Sequence, residues 1–297
     1  MRTLAILLAL ALSTSVFSNT KEEAATLYSK RGLDTQGLEN AKASAEMYKA
    51  VIAESQNISD VEKAQLLVKQ SEALYFVGLV TQRNGDDKGA LKVFLEGYEA
   101  GLEAVNMLGD GPGDQKDPIN AKVEGNEPLL AYSMYWELVN ILRWGKIYGV
   151  LQAISKWKNI GEPRIIDILR LDPTTMNYGV NRSAGKALLT LPGNGKIQGK
   201  TALMFLEEAY KAGKNTVNGV TLSDNMATVT FYLEALRDGK NGPEFCAIYK
   251  PLETFMAHAD DDTLNEMFPD LVPEAKFEYG DFMNEKDNTK FAQKHCR

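Results

Sequence analysis

The stretch GNGKIQGKT, residues 193–201, has the glycines, lysine and threonine from which a phosphate cradle is made. Such a loop turns tightly to aim backbone N–H groups at phosphate oxygens, and it needs a glycine five residues before the one in Gly-Lys-Thr. Here that place is held by Asn194, with Gly193 and Gly195 one position off on either side and no strand pattern ahead of it. Nucleotide chemistry is therefore not expected. The two histidines, His258 and His295, stand outside any ligand-spaced group, and no G-x-S-x-G, H-E-x-x-H or C-x-x-C occurs. Asp110, Asp114 and Asp117 lack the alternating ligands of a calcium loop. The run Asp260 to Asp262 reads as a solvated helix boundary, and a pair such as Glu207-Glu208 is common on acidic helices. No catalytic residue, metal site or cofactor is expected, and the chain reads as a non-enzymatic protein.

Binding chemistry is better represented. On helical spacing Trp136, Asn140, Arg143, Trp144 and Ile147 share one face, and Tyr178, Asn181, Arg182 and Lys186 form a second polar and aromatic face on a later helix. Aromatic walls with a few convergent donors suit an organic ligand that is partly apolar and carries negative charge. The competing reading is packing, with Arg143 paired to a buried carboxylate such as Glu137. Both readings stand at this point.

The elements that must hold these faces are helical. Residues 129–157, LLAYSMYWELVNILRWGKIYGVLQAISKW, contain all three tryptophans and are apolar nearly all round, which marks a buried central helix. Before it, helical hairpins are expected over 20–108. Ser59-Asp60 starts a helix running to about Gln82, Asn84-Gly85-Asp86 breaks it, and a partner follows from Lys88. In that hairpin Gly78, Ala90, Phe94 and Gly97 have the spacing of a tetratricopeptide (TPR) hairpin, in which small residues meet where two helices cross. Gly185, Ala202, Leu206 and Ala209 repeat the pattern with a loop five residues longer. Residues 109–128 read as a long loop and 162–297 as further helices, with Thr216 to Leu222 taken as a loop rather than an Asn-Gly hairpin. The expected fold is all-α, an α-solenoid of TPR-like hairpins around the tryptophan-rich helix, forming one domain over 19–297.

The first eighteen residues, MRTLAILLALALSTSVFS, have the basic start, short apolar core and small residues of a cleavable signal peptide, so a periplasmic or secreted protein is expected. No lipid-attachment cysteine follows the apolar run. The net charge of −7 argues against nucleic acid or an anionic membrane as partner. In an oxidising compartment Cys246 and Cys296 can close a loop worth about 4 kcal/mol, the alternatives being free thiols or a bridge between molecules.

The TPR-like hairpins, the central YWELVNILRWGK, the R-x-x-G step of NRSAGKAL at Arg182 and Gly185, and the proline-glycine loop before an alanine-spaced helix together resemble the T component of TRAP-type transporters, the TatT family. The resemblance runs from about Ala64 to Phe255. It implies a periplasmic helical-repeat protein, in some members oligomeric, that associates with a TRAP-type substrate-binding protein and helps pass an organic, hydrophobic ligand.

Overall fold

Capping side chains set the helix starts. In the computed structural model, which describes residues 20–55, 58–111, 118–191 and 195–296, α1 spans 20–29 and α2 spans Thr35–Glu54. The Asp34 carboxylate opens α2 by accepting the Gly37 N–H at 2.6 Å. Ser59 and Glu62 form a reciprocal capping box that starts α3, Asp60–Arg83, and Asp86 opens α4, Asp87–Leu108. The expected signal peptide, Asp114, Asp117, Gly193 and Asn194 lie outside the described residues.

The chain, read from sequence as one domain over 19–297, divides by its contacts into two compact units, Met1–Asp167 and Ile168–Arg297. In the first, α3, α4 and α5 (Glu127–Tyr148) pack together. Small residues on α4 let its neighbours approach. A Cβ on Gly78 of α3 would lie 2.6 Å from the Phe94 ring, one on Gly97 2.5 Å from Asn140 Oδ1, and one on Gly101 2.8 Å from the Glu137 backbone. Gly78 therefore lies against the Phe94 ring rather than against another small residue, and Gly97 and Gly101 of α4 seat α5.

The described residues of the span 109–128, 109–111 and 118–128, include paired strands. Two-residue strands β1 (Gly109–Asp110) and β2 (Asn120–Ala121) pair antiparallel, and buried Ile119 fills the space beside Gly109. The central helix does not run from 129 to 157. It ends at Tyr148, because Gly149 takes φ 126° and ψ 163°, a conformation that only glycine adopts without strain. The chain then doubles back as α6, Val150–Lys156, with a Cβ on Gly145 only 3.2 Å from Ala153 Cα. A π-helical turn, Trp157–Gly161, leads into α7, Glu162–Leu171.

The second unit contains α8 (Thr175–Thr190), α9 (Ala202–Ala212), α10 (Met226–Asp238), α11 (Gly242–His258), α12 (Asp261–Met267), α13 (Val272–Asn284) and α14 (Lys286–His295). Gly185 crosses Leu206 as Gly78 crosses Phe94, with a Cβ there 2.4 Å from Leu206 Cγ. The segment 216–222, expected as a loop, is a hairpin of β3 (Lys214–Val217) and β4 (Val220–Ser223). Two strands alone are marginal, but Val217 and Leu222 bury one face in the core with Leu206, Tyr210 and Met226, so tertiary packing supplies what the strands lack. Cys246 of α11 and Cys296 after α14 form a disulfide with Cα atoms 5.2 Å apart.

Candidate functional site

The first predicted face is assembled from α5 and α3. Trp136 is buried among Tyr75, Tyr132 and Tyr135, with ring centroids 5.5, 6.3 and 5.3 Å away in edge-to-face arrangements. These are favourable packing geometries for aromatic rings. Asn140 donates through Nδ2 to the Ser71 carbonyl (3.2 Å), Ser71 Oγ (3.1 Å) and the Trp136 carbonyl (2.9 Å). Three acceptors around one nitrogen fix the amide orientation. Oδ1 is thereby left against Gly97, where no side chain stands. Asn140 is thus the polar joint of three helices.

Arg143 donates through Nε to the Tyr75 hydroxyl at 3.3 Å. The alternative pairing of Arg143 with Glu137 is not what forms. Glu137 is held by Arg164, from Nε to Oε2 at 2.7 Å and from Nη2 to Oε1 at 3.2 Å, with Glu137 1% and Arg164 8% exposed. Burial pushes the Glu137 carboxyl up, against the pull of Arg164. Trp144 does not join this face. It stacks on Tyr148 at 4.7 Å, beside Lys156.

Along the same α3–α5 seam, Tyr132 donates to Glu72 at 2.8 Å, while Lys69 donates to Glu72 at 2.8 Å and to the Tyr132 hydroxyl at 3.1 Å. Burial, with the Glu72 charge beside it, holds the Tyr132 phenol above its ordinary value. Burial opposes the Lys69 charge, but Glu72 and the Tyr132 hydroxyl together more than reverse it and the lysine is raised. Lys69, Glu72 and Tyr75 recur at intervals of three along α3, so their shared face was legible in the sequence, although their meeting with α5 was not.

The second face has an unusual entrance. Met176, Asn177 and Tyr178 all take left-handed conformations, with φ 55°, 50° and 58°. Each costs a non-glycine residue about 1–2 kcal/mol, and such strain persists only where the surroundings impose it. The Asn177 amide donates to Asp224 at 3.2 Å. Burial raises the Asp224 carboxyl, opposed by the charge of Arg182. Arg182, itself buried, donates to Thr228 Oγ1 at 3.1 Å. Lys186 pairs with Glu234 and lies 4.5 Å from the Phe231 ring. Burial raises the Glu234 carboxyl against the pull of Lys186.

Asn181 is 3% exposed and donates to Glu208 at 3.0 Å. That contact orients the amide so that Oδ1 points inward, where it meets no donor among the described residues. A buried acceptor without a donor costs about 1–3 kcal/mol. Of the predicted residues, the structure therefore gathers Asn181, Arg182 and Lys186 behind the strained turn that holds Tyr178. It adds Asp224, Thr228, Glu208 and Glu234, which nothing in local spacing links to α8.

Of the segment GNGKIQGKT the structure describes residues 195–201. Lys200 pairs with Glu208 at 2.8 Å, and the Thr201 hydroxyl caps α9. Among the described residues no group of three or more His, Cys, Asp or Glu is placed to hold a metal ion. Compared with known proteins, the chain matches no family model and no curated sequence.

Proposed function

We propose that the protein is an exported binding module of TPR-like helical hairpins, an α-solenoid that serves a TRAP-type solute transporter through contact with its periplasmic substrate-binding protein. The observation that carries the repeat reading is the recurrence of one crossing in both units, Gly78 against Phe94 and Gly185 against Leu206. A repeat hairpin needs a small residue at this point so that the two backbones can close on each other. The charged groups of both candidate faces are engaged with one another, as Lys69 is with Glu72 and Lys186 with Glu234. Such groups suit holding and shaping better than proton transfer. The protein acts without catalysis and without a cofactor.

The ligand address is the α8 face. Asn181 Oδ1 is a buried acceptor that a ligand N–H or O–H would satisfy, and an organic molecule with an apolar body suits the flanking Tyr178. Affinity capture from the periplasm with the mature chain as bait tests the partnership. Recovery of a TRAP-type binding protein is expected, and repeated recovery of no solute-binding or transport protein refutes it. Native mass spectrometry tests the ligand. A co-purifying small molecule that Asn181→Leu removes supports the site, and an identical spectrum for that variant removes Asn181 from it.

A further inference from the structure

The corner where α5 turns into α6 brings basic residues and exposed apolar side chains together. From Leu138 to Gly161 the chain carries Arg143, Lys146, Lys156 and Lys158 and no acidic residue, within a protein of net charge −7. The same corner holds Leu151, at 84% the most exposed large apolar side chain among the described residues, and Tyr148 at 57%. Trp144 stacks on Tyr148, and Lys156 Nζ lies 5.6 Å from the Trp144 ring. Gly149 makes the reversal sharp, and α6 folds back along α5. Leu151 therefore sits at a convex tip rather than in a groove. Lys146 and Lys158 are exposed.

We propose that this tip is a peripheral membrane anchor that inserts Leu151 into an anionic bilayer, with Trp144 and Tyr148 at the headgroup level and the lysines against lipid phosphates. Tryptophan and tyrosine favour that depth because one end of each ring is apolar and the other polar. Lysines extend their stems along apolar surface while keeping the ammonium at the interface. Whole-chain charge does not decide the matter, because salt screens charges beyond about 8 Å and the lipid surface meets only the local patch. A protein partner fits the shape less well. Stable protein interfaces cover about 800 Å² on each side, whereas a fluid bilayer admits a single protruding leucine. Among the described residues no helix is long and apolar enough to cross a membrane, so attachment through this tip is superficial and reversible.

The test is co-sedimentation of the mature protein with vesicles of phosphatidylglycerol mixed into phosphatidylcholine, against phosphatidylcholine alone. Binding is expected only to the anionic vesicles and is expected to weaken with salt. Trp136 and Trp157 are buried, so quenching of tryptophan fluorescence by brominated lipid reports Trp144. Leu151→Asp should cut the affinity about tenfold or more, from the transfer energy of a leucine side chain. Each of Lys146→Gln, Lys156→Gln and Lys158→Gln should cut it about fivefold, the equivalent of about 1 kcal/mol per charge. Leu151 is exposed, so Leu151→Asp should keep the thermal midpoint of the parent protein. No binding to anionic vesicles, or equal binding by Leu151→Asp, overturns the proposal. A variant unchanged on vesicles but deficient in capturing a protein overturns it in favour of a protein interface.

Discussion

Replacing Arg164 by methionine should be among the most damaging single changes in the first unit. Methionine keeps the unbranched stem and removes the guanidinium, leaving a carboxylate that is 1% exposed with neither of its donors. A hydrogen bond to a charged group is worth about 1.5–3 kcal/mol, and breaking one side of a buried ion pair costs about 3–5 kcal/mol. A loss of about 3–5 kcal/mol at neutral pH is therefore expected. The deficit should depend on pH in a definite direction. Burial already raises the folded-state pKa of Glu137, and losing Arg164 raises it further. Between the ordinary glutamate value of about 4.3 and that raised value, the folded state binds more protons than the unfolded state, so stability falls as pH rises through the window. Arg164→Met should be nearest to the parent protein under acid conditions and furthest from it at neutral pH. Adding Glu137→Gln should recover much of the loss and remove the pH dependence. Denaturant unfolding followed by tryptophan fluorescence is the suitable assay, because Trp136, Trp144 and Trp157 all belong to this unit. A neutral-pH loss below about 1 kcal/mol, the level of a surface pair, would falsify the reasoning. So would a deficit that grows toward acid pH.

Three further outcomes are expected. Cys296→Ser opens a loop with a sequence separation of 50 and should cost up to about 4 kcal/mol. Faster amide hydrogen exchange in α11 and α14 would register this loss, and unchanged exchange would show that the disulfide holds nothing in place. Gly185→Ala puts a methyl 2.4 Å from Leu206 Cγ and should cost about 1–3 kcal/mol. Combined with Leu206→Ala it should cost less than the sum of the two single changes in thermal unfolding, and simple additivity would contradict the crossing. At Met176, whose φ is 55°, valine should lower the thermal midpoint and glycine should hold or raise it, because only glycine accepts the left-handed region without penalty. The reverse order would mean that the turn is not left-handed in solution.

Much of the helical organisation was legible because its signals are local. The Ser59 cap and the Asn84-Gly85 break each act within a few turns, and the structure places both as read, while it sets Gly78 against Phe94 and Gly97 against Asn140 of α5. The interruption at Gly149 was missed because the apolar run continues through it, and hydrophobic pattern alone cannot reveal one glycine with φ 126°. The hairpin at 214–223 was missed for a different reason. Its local signal, Asn-Gly between short β-prone runs, is weak until Val217 and Leu222 find a core to enter.

The candidate sites divide in the same way. By itself the sequence determined that Asn140 and Arg143 share a helical face and that Asn181, Arg182 and Lys186 share another, because helical periodicity follows from covalent geometry. Only the tertiary structure decided who their partners are. It gave Glu137 to Arg164 rather than to Arg143, set Asp224 and Thr228 against Arg182, and left Asn181 Oδ1 buried without a donor among the described residues. Such pairings join positions 27 to 48 residues apart. They depend on how packed helices bring distant residues together, which no local pattern encodes.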